Sequence, residues 1–197
     1  MLKKTVVLLA FTGLFIGCNT VFAAGDKTEF ATQPKTSGIY AGIGIGGGIV
    51  NAEFKEYTRD NAGLAGNANL GYQFNKYLGL EAGFAMYSKS KADGKDLATN
   101  NYAFDLAAKG IIPLGSGFDA FAKLGAAMVH TKWASTIDGQ AVPDGGKSYT
   151  EPTAYFAAGF DYALTQHFLA TLQGTATTNG SHVPSMFAGT VGVTCII

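Results

Sequence analysis

The sequence predicts an all-β fold, an eight-stranded antiparallel up-and-down transmembrane β-barrel. Three observations predict it. Large apolar residues alternate with small or polar ones at every second position in segments of ten to fifteen residues, the period of a strand with two unlike faces. The connections between segments alternate between tight turns and long polar loops, as in barrels of an outer membrane. The apolar face of each segment carries no charge across its middle, while the other face holds Gly, Ala, Asn, Thr and a few charges.

Composition agrees. The chain has 197 residues, of which 27 are Gly, 47% are hydrophobic and only 14% are charged. Ordinary soluble domains carry about 25% charged residues and about 7% Gly. A formal charge of zero, from 14 basic and 14 acidic side chains, argues against disorder and against a basic nucleic-acid binder. No nucleic-acid partner is expected.

Residues 1–23 are expected to be a secretory signal peptide. Lys3 and Lys4 supply its positive start, the apolar stretch from Val6 to Gly17 is too short to span a bilayer, and Val21-Phe22-Ala23 offers small residues for cleavage before Ala24. Lipidation at Cys18 is the alternative processing, with Phe15 standing where such sites usually carry Leu. Residues 24–36 form a short N-terminal segment and 37–197 the barrel. Cleavage after Ala23 leaves Cys195 as a lone thiol, so the processed chain has no internal disulfide and no cysteine zinc site. No apolar run approaches the ~18 residues of a membrane helix.

The eight strands fall at about 38–50, 62–74, 78–88, 100–112, 118–133, 152–164, 168–178 and 186–197. In the first, Gly42, Gly44, Gly46 and Gly48 leave inner space for residues such as Tyr40 and Tyr87. Its Gly42-Ile43-Gly44-Ile45-Gly46-Gly47 matches a dinucleotide-binding fingerprint, but that motif needs a helix at the third glycine, and here the strand pattern runs on to Val50. The second ends in Gly71-Tyr72-Gln73-Phe74 before a tight turn. The third sets Leu78, Leu80, Ala82, Phe84 and Met86 against Gly79, Glu81, Gly83 and Tyr87. The fourth sets Tyr102, Phe104, Leu106 and Ala108 against Asn101, Asp105 and Lys109. The fifth fits least well, because Phe121 shares a face with Lys123 whichever way it is turned. The sixth brings Asp161, and the seventh follows a short turn. The eighth sets Phe187, Val191, Val193, Cys195 and Ile197 against Ala188, Thr190, Gly192 and Thr194.

Long loops run over 51–61, 89–99 and 134–151. Short turns are Asn75-Lys76-Tyr77, Pro113 to Gly117 and Thr165-Gln166-His167; the last connection is of middling length. Each strand suits the ~9–11 residues of a tilted crossing. A soluble barrel such as a lipocalin would put its large apolar side chains inside. Here the charged face is the one too small and polar for an apolar lumen, so it turns inward and the apolar face meets lipid.

Taken together, the segments resemble the OmpA-like family of outer-membrane β-barrels. Ser37-Gly38-Ile39-Tyr40-Ala41-Gly42, Gly71-Tyr72-Gln73-Phe74 and Ala122-Lys123-Leu124-Gly125-Ala126-Ala127 carry the resemblance, over about 36–197. It implies a monomeric, non-enzymatic barrel in the outer membrane of a Gram-negative bacterium, surrounded by outer-membrane lipid. Such a barrel stabilises the envelope and presents surface loops to an extracellular partner. It implies the barrel domain alone, since no segment for a peptidoglycan-binding domain follows the eighth strand. Family barrels usually end in Phe, read by the assembly machinery; this chain ends Thr194-Cys195-Ile196-Ile197, keeping the alternation without the aromatic.

Glu81, Asp105, Lys109, Lys123 and Asp161 fall on inner faces at similar depths and are expected to form a lumen charge network. The network either plugs or gates the lumen, as lumenal pairs do in such barrels, or sets register structurally; buried charges are kept mainly when paired, which favours the structural role. A narrow pore or a transport barrel for a small or hydrophobic molecule is the alternative function, though eight strands leave little lumen. A third is a lipid-modifying enzyme built on rim histidines: His130 and His182 lie near the outer rim, with Ser181 and Ser185 flanking the latter, but no orienting acid at a recognisable spacing. His167 is expected to be a solvated turn residue. No catalytic residue, cofactor or metal is expected. Tyr72, Phe74, Tyr77, Phe118, Tyr162 and Phe168 near the short turns, and Tyr57, Tyr102, Trp133, Phe156 and Phe187 toward the long loops, are expected to form the two interfacial girdles.

Overall fold

A computed structural model describes residues 36–51, 59–60, 62–87, 90–92, 95–133, 136–137, 140–141 and 146–197. Residues 1–23, expected to be a signal peptide, and Tyr57 lie outside the described residues. Eight long strands are formed: β1 (Gly38–Asn51), β2 (Ala62–Asn75), β3 (Leu78–Tyr87), β4 (Lys95–Gly115), β5 (Phe118–Trp133), β6 (Ser148–Ala163), β7 (Phe168–Thr177) and β8 (Ser185–Ile196). Each pairs antiparallel with its sequence neighbours, and β1 closes the barrel on β8 through Tyr40↔Ile196 to Asn51↔Ser185. Closure gives each long strand two hydrogen-bonded neighbours, which leaves no open sheet edge where lipid offers no hydrogen bonds.

The strands lie where the alternation places them, with two extensions. β4 begins before residue 100 and continues through Pro113, where the ladder shifts register between Pro113 and Gly115. The connection to β5 therefore shrinks to Ser116–Gly117, and Gly115, Ser116 and Gly117 all have positive φ. Two glycines supply that backbone at little cost, and the hairpin stays tight. β6 begins at Ser148, so the preceding long loop is shorter than its polar composition suggests. Beyond the barrel, Ser90–Ala92 pairs with the start of β4 and Arg59–Asp60 with Ser90–Ala92, carrying the wall upward on the long-loop side. Thr136–Ile137 and Gln140–Ala141 pair separately.

Parity decides the faces. Ile45, Leu64, Leu80, Phe104, Leu106, Leu124, Phe156, Phe160, Leu172 and Val191 are all exposed, an outward band that the described residues leave uncovered. From Leu114 to Tyr102 on β4 this face extends for about 30 Å at the usual strand rise and tilt, enough for the ~25 Å apolar band of such barrels. Tyr72, Phe74, Tyr77, Phe118 and Tyr162 stand exposed at the short-turn end. Tyr72 meets Phe74, and Phe118 meets Tyr162, at ring distances of 5.3 and 4.5 Å. Outward Gly47, Gly189, Gly174 and Ala158 lie side by side in register and leave a shallow groove open on the lipid side.

Inside, two layers fill the barrel. Toward the long loops an apolar cluster gathers Val50, Ala85, Tyr87, Ala103, Val129, Tyr155, Val183 and Met186. Toward the short turns lie the charged side chains, closed off below by Tyr40, Ala163, Leu169 and Ile196. Small residues make this possible: a Cβ on Gly71 would run into the Tyr40 ring, so Gly71 as well as the β1 glycines gives that tyrosine its place.

Candidate functional site

All five residues expected in the lumen are there and buried, from 2% exposure at Glu81 to 8% at Asp105. Glu81 comes from β3, Asp105 and Lys109 from β4, Lys123 from β5 and Asp161 from β6. Lys123 Nζ stands 2.6 Å from Glu81 Oε1, and Lys109 Nζ 2.9 Å from Asp161 Oδ2. The two lysines are cross-strand partners, a like-charge juxtaposition that costs energy unless each ammonium has its own counter-ion. Here each does. The Phe121 ring faces both, 4.3 Å from Lys109 Nζ and 5.0 Å from Lys123 Nζ. This explains the β5 pattern: Phe121 shares the inner face with Lys123 because an aromatic face attracts the ammonium groups on either side.

The charged pairs recruit partners that charge alone does not reveal. Tyr40 donates its hydroxyl to Glu81 Oε2 at 2.9 Å, and Lys123 donates to Gln173 Oε1. Thr171 donates to Asp161 Oδ1 at 2.6 Å and bonds Thr194 at 3.0 Å. Tyr40, Thr171, Gln173 and Thr194 are therefore part of the site. The inner parity of β7 and β8 was the available signal for the last three, but polar uncharged side chains on an inner face do not announce their partners. Asp105 stays apart: its Oδ1 is buried with no hydrogen-bond partner. Its carboxyl lies against Gly83, whose missing side chain leaves it room.

At the long-loop rim the structure brings together what the sequence keeps apart. His182 Nδ1 lies 2.7 Å from Glu151 Oε1, and the His182 N–H donates to Glu151 Oε2 at 3.0 Å. The acid that sequence spacing did not supply to His182 is Glu151, 31 residues away. Glu151 lies on β6 five residues beyond Phe156, past the apolar band. The His182 backbone N–H, and next its ring, hold the Glu151 carboxyl below the usual carboxylate range. Both oxygens are engaged by His182, so the arrangement anchors a loop. His130 faces outward, stacked on Tyr102 at 4.6 Å with its Nδ1 2.7 Å from Thr150 Oγ1. Among the described residues no group of three or more His, Cys, Asp or Glu could hold a metal ion.

Two expectations are corrected. Trp133 has inner parity and leans over the barrel mouth, where its indole donates to the His182 carbonyl at 3.0 Å, so it is no part of the lipid-facing girdle. His167 is more than a solvated turn residue: its ring Nδ1 donates to the Ile196 carbonyl at 2.9 Å, and its own carbonyl accepts the Ile196 N–H at 2.7 Å, fastening the end of β8 to the turn before β7. Cys195 is buried near the end of β8.

A closed antiparallel barrel, apolar outside and ion-paired inside, defines an integral outer-membrane β-barrel. The chain belongs to the family of the OmpA-like transmembrane domain, whose model matches residues 34–178. It is 31% identical to outer membrane protein A of Serratia marcescens, over 97% of this chain and 52% of that protein, and 27% identical to outer membrane protein A of Salmonella typhi, over 90% and 49%. The chain thus spans about half the length of these curated relatives. Its fold is similar to neisserial surface protein A, with a TM-score of 0.57 at 13% identity, covering 83% of this chain and 99% of that one. It is also similar to the attachment invasion locus protein Ail of Yersinia pestis, with a TM-score of 0.56 at 15% identity, covering 83% and 100%. The protein is an integral outer-membrane barrel with surface loops.

Proposed function

We propose that this barrel is a monomeric, non-enzymatic component of the envelope whose lumen is closed by the Glu81–Lys123 and Lys109–Asp161 pairs. The single observation that carries the reading is the packing of both ion pairs, Phe121 and Tyr40 across the short-turn half of the lumen, below an apolar cluster that fills the other half. An eight-stranded barrel leaves room for side chains and little else, so a narrow pore is the less supported alternative. The test is conductance in a planar bilayer. Unmodified protein, verified as folded by faster gel migration before boiling, is expected to show no steady conductance; stable open-channel currents would overturn the closed reading.

The long loops would face outside and the short turns the periplasm, after removal of residues 1–23. Protease added to intact cells should then cut at Lys91, Lys95 or Lys147, and cutting at Lys76 would invert the topology. Ail has been seen in complex with the heparin analogue sucrose octasulfate, which supports a polyanionic extracellular partner for the loops as the first class to try. The assembly machinery is expected to engage the last strand.

A further inference from the structure

The connection between β7 and β8 is held in a way that differs from the strands around it. The chain leaves the ladder at Thr178, which exchanges bonds with Ala154: the Thr178 N–H donates to the Ala154 carbonyl, and the Thr178 hydroxyl accepts the Ala154 N–H, each at 3.1 Å. It rejoins at Ser185. Between these points the Gly180 N–H closes a turn on the Val183 carbonyl at 2.9 Å, and Pro184 has no N–H to offer. Side chains on the rim do the holding. Glu151 takes His182 through both oxygens, Trp133 donates to the His182 carbonyl, and the Tyr149 ring stacks on the imidazole at 4.4 Å and 10°. With the loop down, Val183 is 2% exposed and belongs to the apolar cluster that fills the outer half of the barrel.

We propose that residues 178–184 are a hinged lid over the outer mouth of the barrel, with Val183 as the stopper and the Glu151–His182 clamp as the latch. The hinges are the two ends, Thr178 and Pro184–Ser185. The latch is reachable by water, since the His182 side chain is 45% exposed and that of Glu151 21%, so solvent competes for each of its bonds. Opening about Thr178, which keeps its bonds to Ala154, leaves the described ladders of β7 and β8 intact, because they stop at Thr177 and Ser185. That is the signature of a segment able to open locally while the barrel stays closed. The lid stands whether or not the lumen conducts.

Trp133 is the single tryptophan of the chain and touches the lid, which makes it a built-in reporter. The full chain, folded in detergent micelles, would be compared with Glu151→Ala, His182→Ala and Gly180→Ala. The last leaves both latch residues in place but puts a Cβ into the space of the Glu151 carboxylate and Val183. Acrylamide quenching of Trp133 is expected to rise about twofold in all three, with the His182 and Val183 amides losing exchange protection while the Val129 and Val191 amides keep theirs. Gel mobility before boiling shows which variants remain closed barrels. Quenching and exchange equal to wild type in closed barrels would overturn the lid. Should the variants fail to fold, wild type still decides: a His182 amide exchanging at the rate of an unstructured chain means that no latch holds it.

Discussion

The two halves of the lumen solve the same geometric problem with opposite chemistry. Toward the short turns the inner positions carry two lysines, two of their counter-ions and a tyrosine hydroxyl, each fixed by direction-dependent bonds. Toward the long loops the same parity carries chiefly Val50, Ala103, Val129, Tyr155 and Met186, interspersed with uncharged Asn101, Thr131 and Thr175, and the apolar members only have to fit. The difference teaches where exchangeability lies. An ion pair out of water fails when one partner is removed, because the other is left uncompensated. Packed apolar groups tolerate swaps that conserve volume.

The largest break in this comparison is Lys123→Ala. It strands Glu81 in the lumen and is expected to cost about 3–5 kcal/mol, measured by denaturant unfolding in detergent. Adding Glu81→Ala should return part of that loss. Strict additivity would mean the two do not interact, and the charged half would then be no more coupled than the apolar one.

Next comes the wall that both halves share. Leu106→Arg places a charge in the middle of the lipid face and should cost about 2–4 kcal/mol, read in the same assay. Asn101→Arg, buried near the rim, tests the boundary between wall and lumen; a cost equal to that of Leu106→Arg would contradict the opposite facing of these two positions on β4.

In the apolar half, Met186→Leu should stay below about 1.5 kcal/mol, although Met186 is fully buried. A loss as large as that of Lys123→Ala would erase the contrast between the halves.

The smallest effect is the pH response of the rim. The Glu151 carboxyl is held below its ordinary range by the His182 N–H and ring, so it binds fewer protons in the folded loop than in a released one. Its contribution is therefore present above the ordinary glutamate pKa of about 4.3 and lost only as pH falls through the lower, folded value. Within the acid limb, Trp133 emission should change below the ordinary carboxylate range. An acid transition centred at that range would show that the latch does not stabilise the ionised acid.

Much of the barrel was legible from residue 38 onward, for a physical reason. A strand between lipid and a narrow lumen must carry apolar residues on one side and small or polar ones on the other, so Phe104, Leu106, Asp105 and Lys109 declare their faces by parity alone. The charged members of the lumen follow from the same rule. Partner choice does not. Lys123 could have met Asp105, and it meets Glu81 because the register and closure set those two side chains 2.6 Å apart, leaving Asp105 beside Gly83. The inward lean of Trp133 and the Ile196 bonds of His167 were missed because propensity for an interface or a turn says nothing about a carbonyl within reach.

By itself, then, the sequence determined the strand count, the alternating loops, the two faces and the five charges inside, since each depends on residues close together in the chain. The tertiary structure alone decided which lysine pairs with which acid, that Tyr40, Thr171, Gln173 and Thr194 complete the network, and that Glu151 reaches His182 across 31 residues. Those outcomes depend on shear and closure, which bring distant strands to a common height, and a period of two residues carries no information about height.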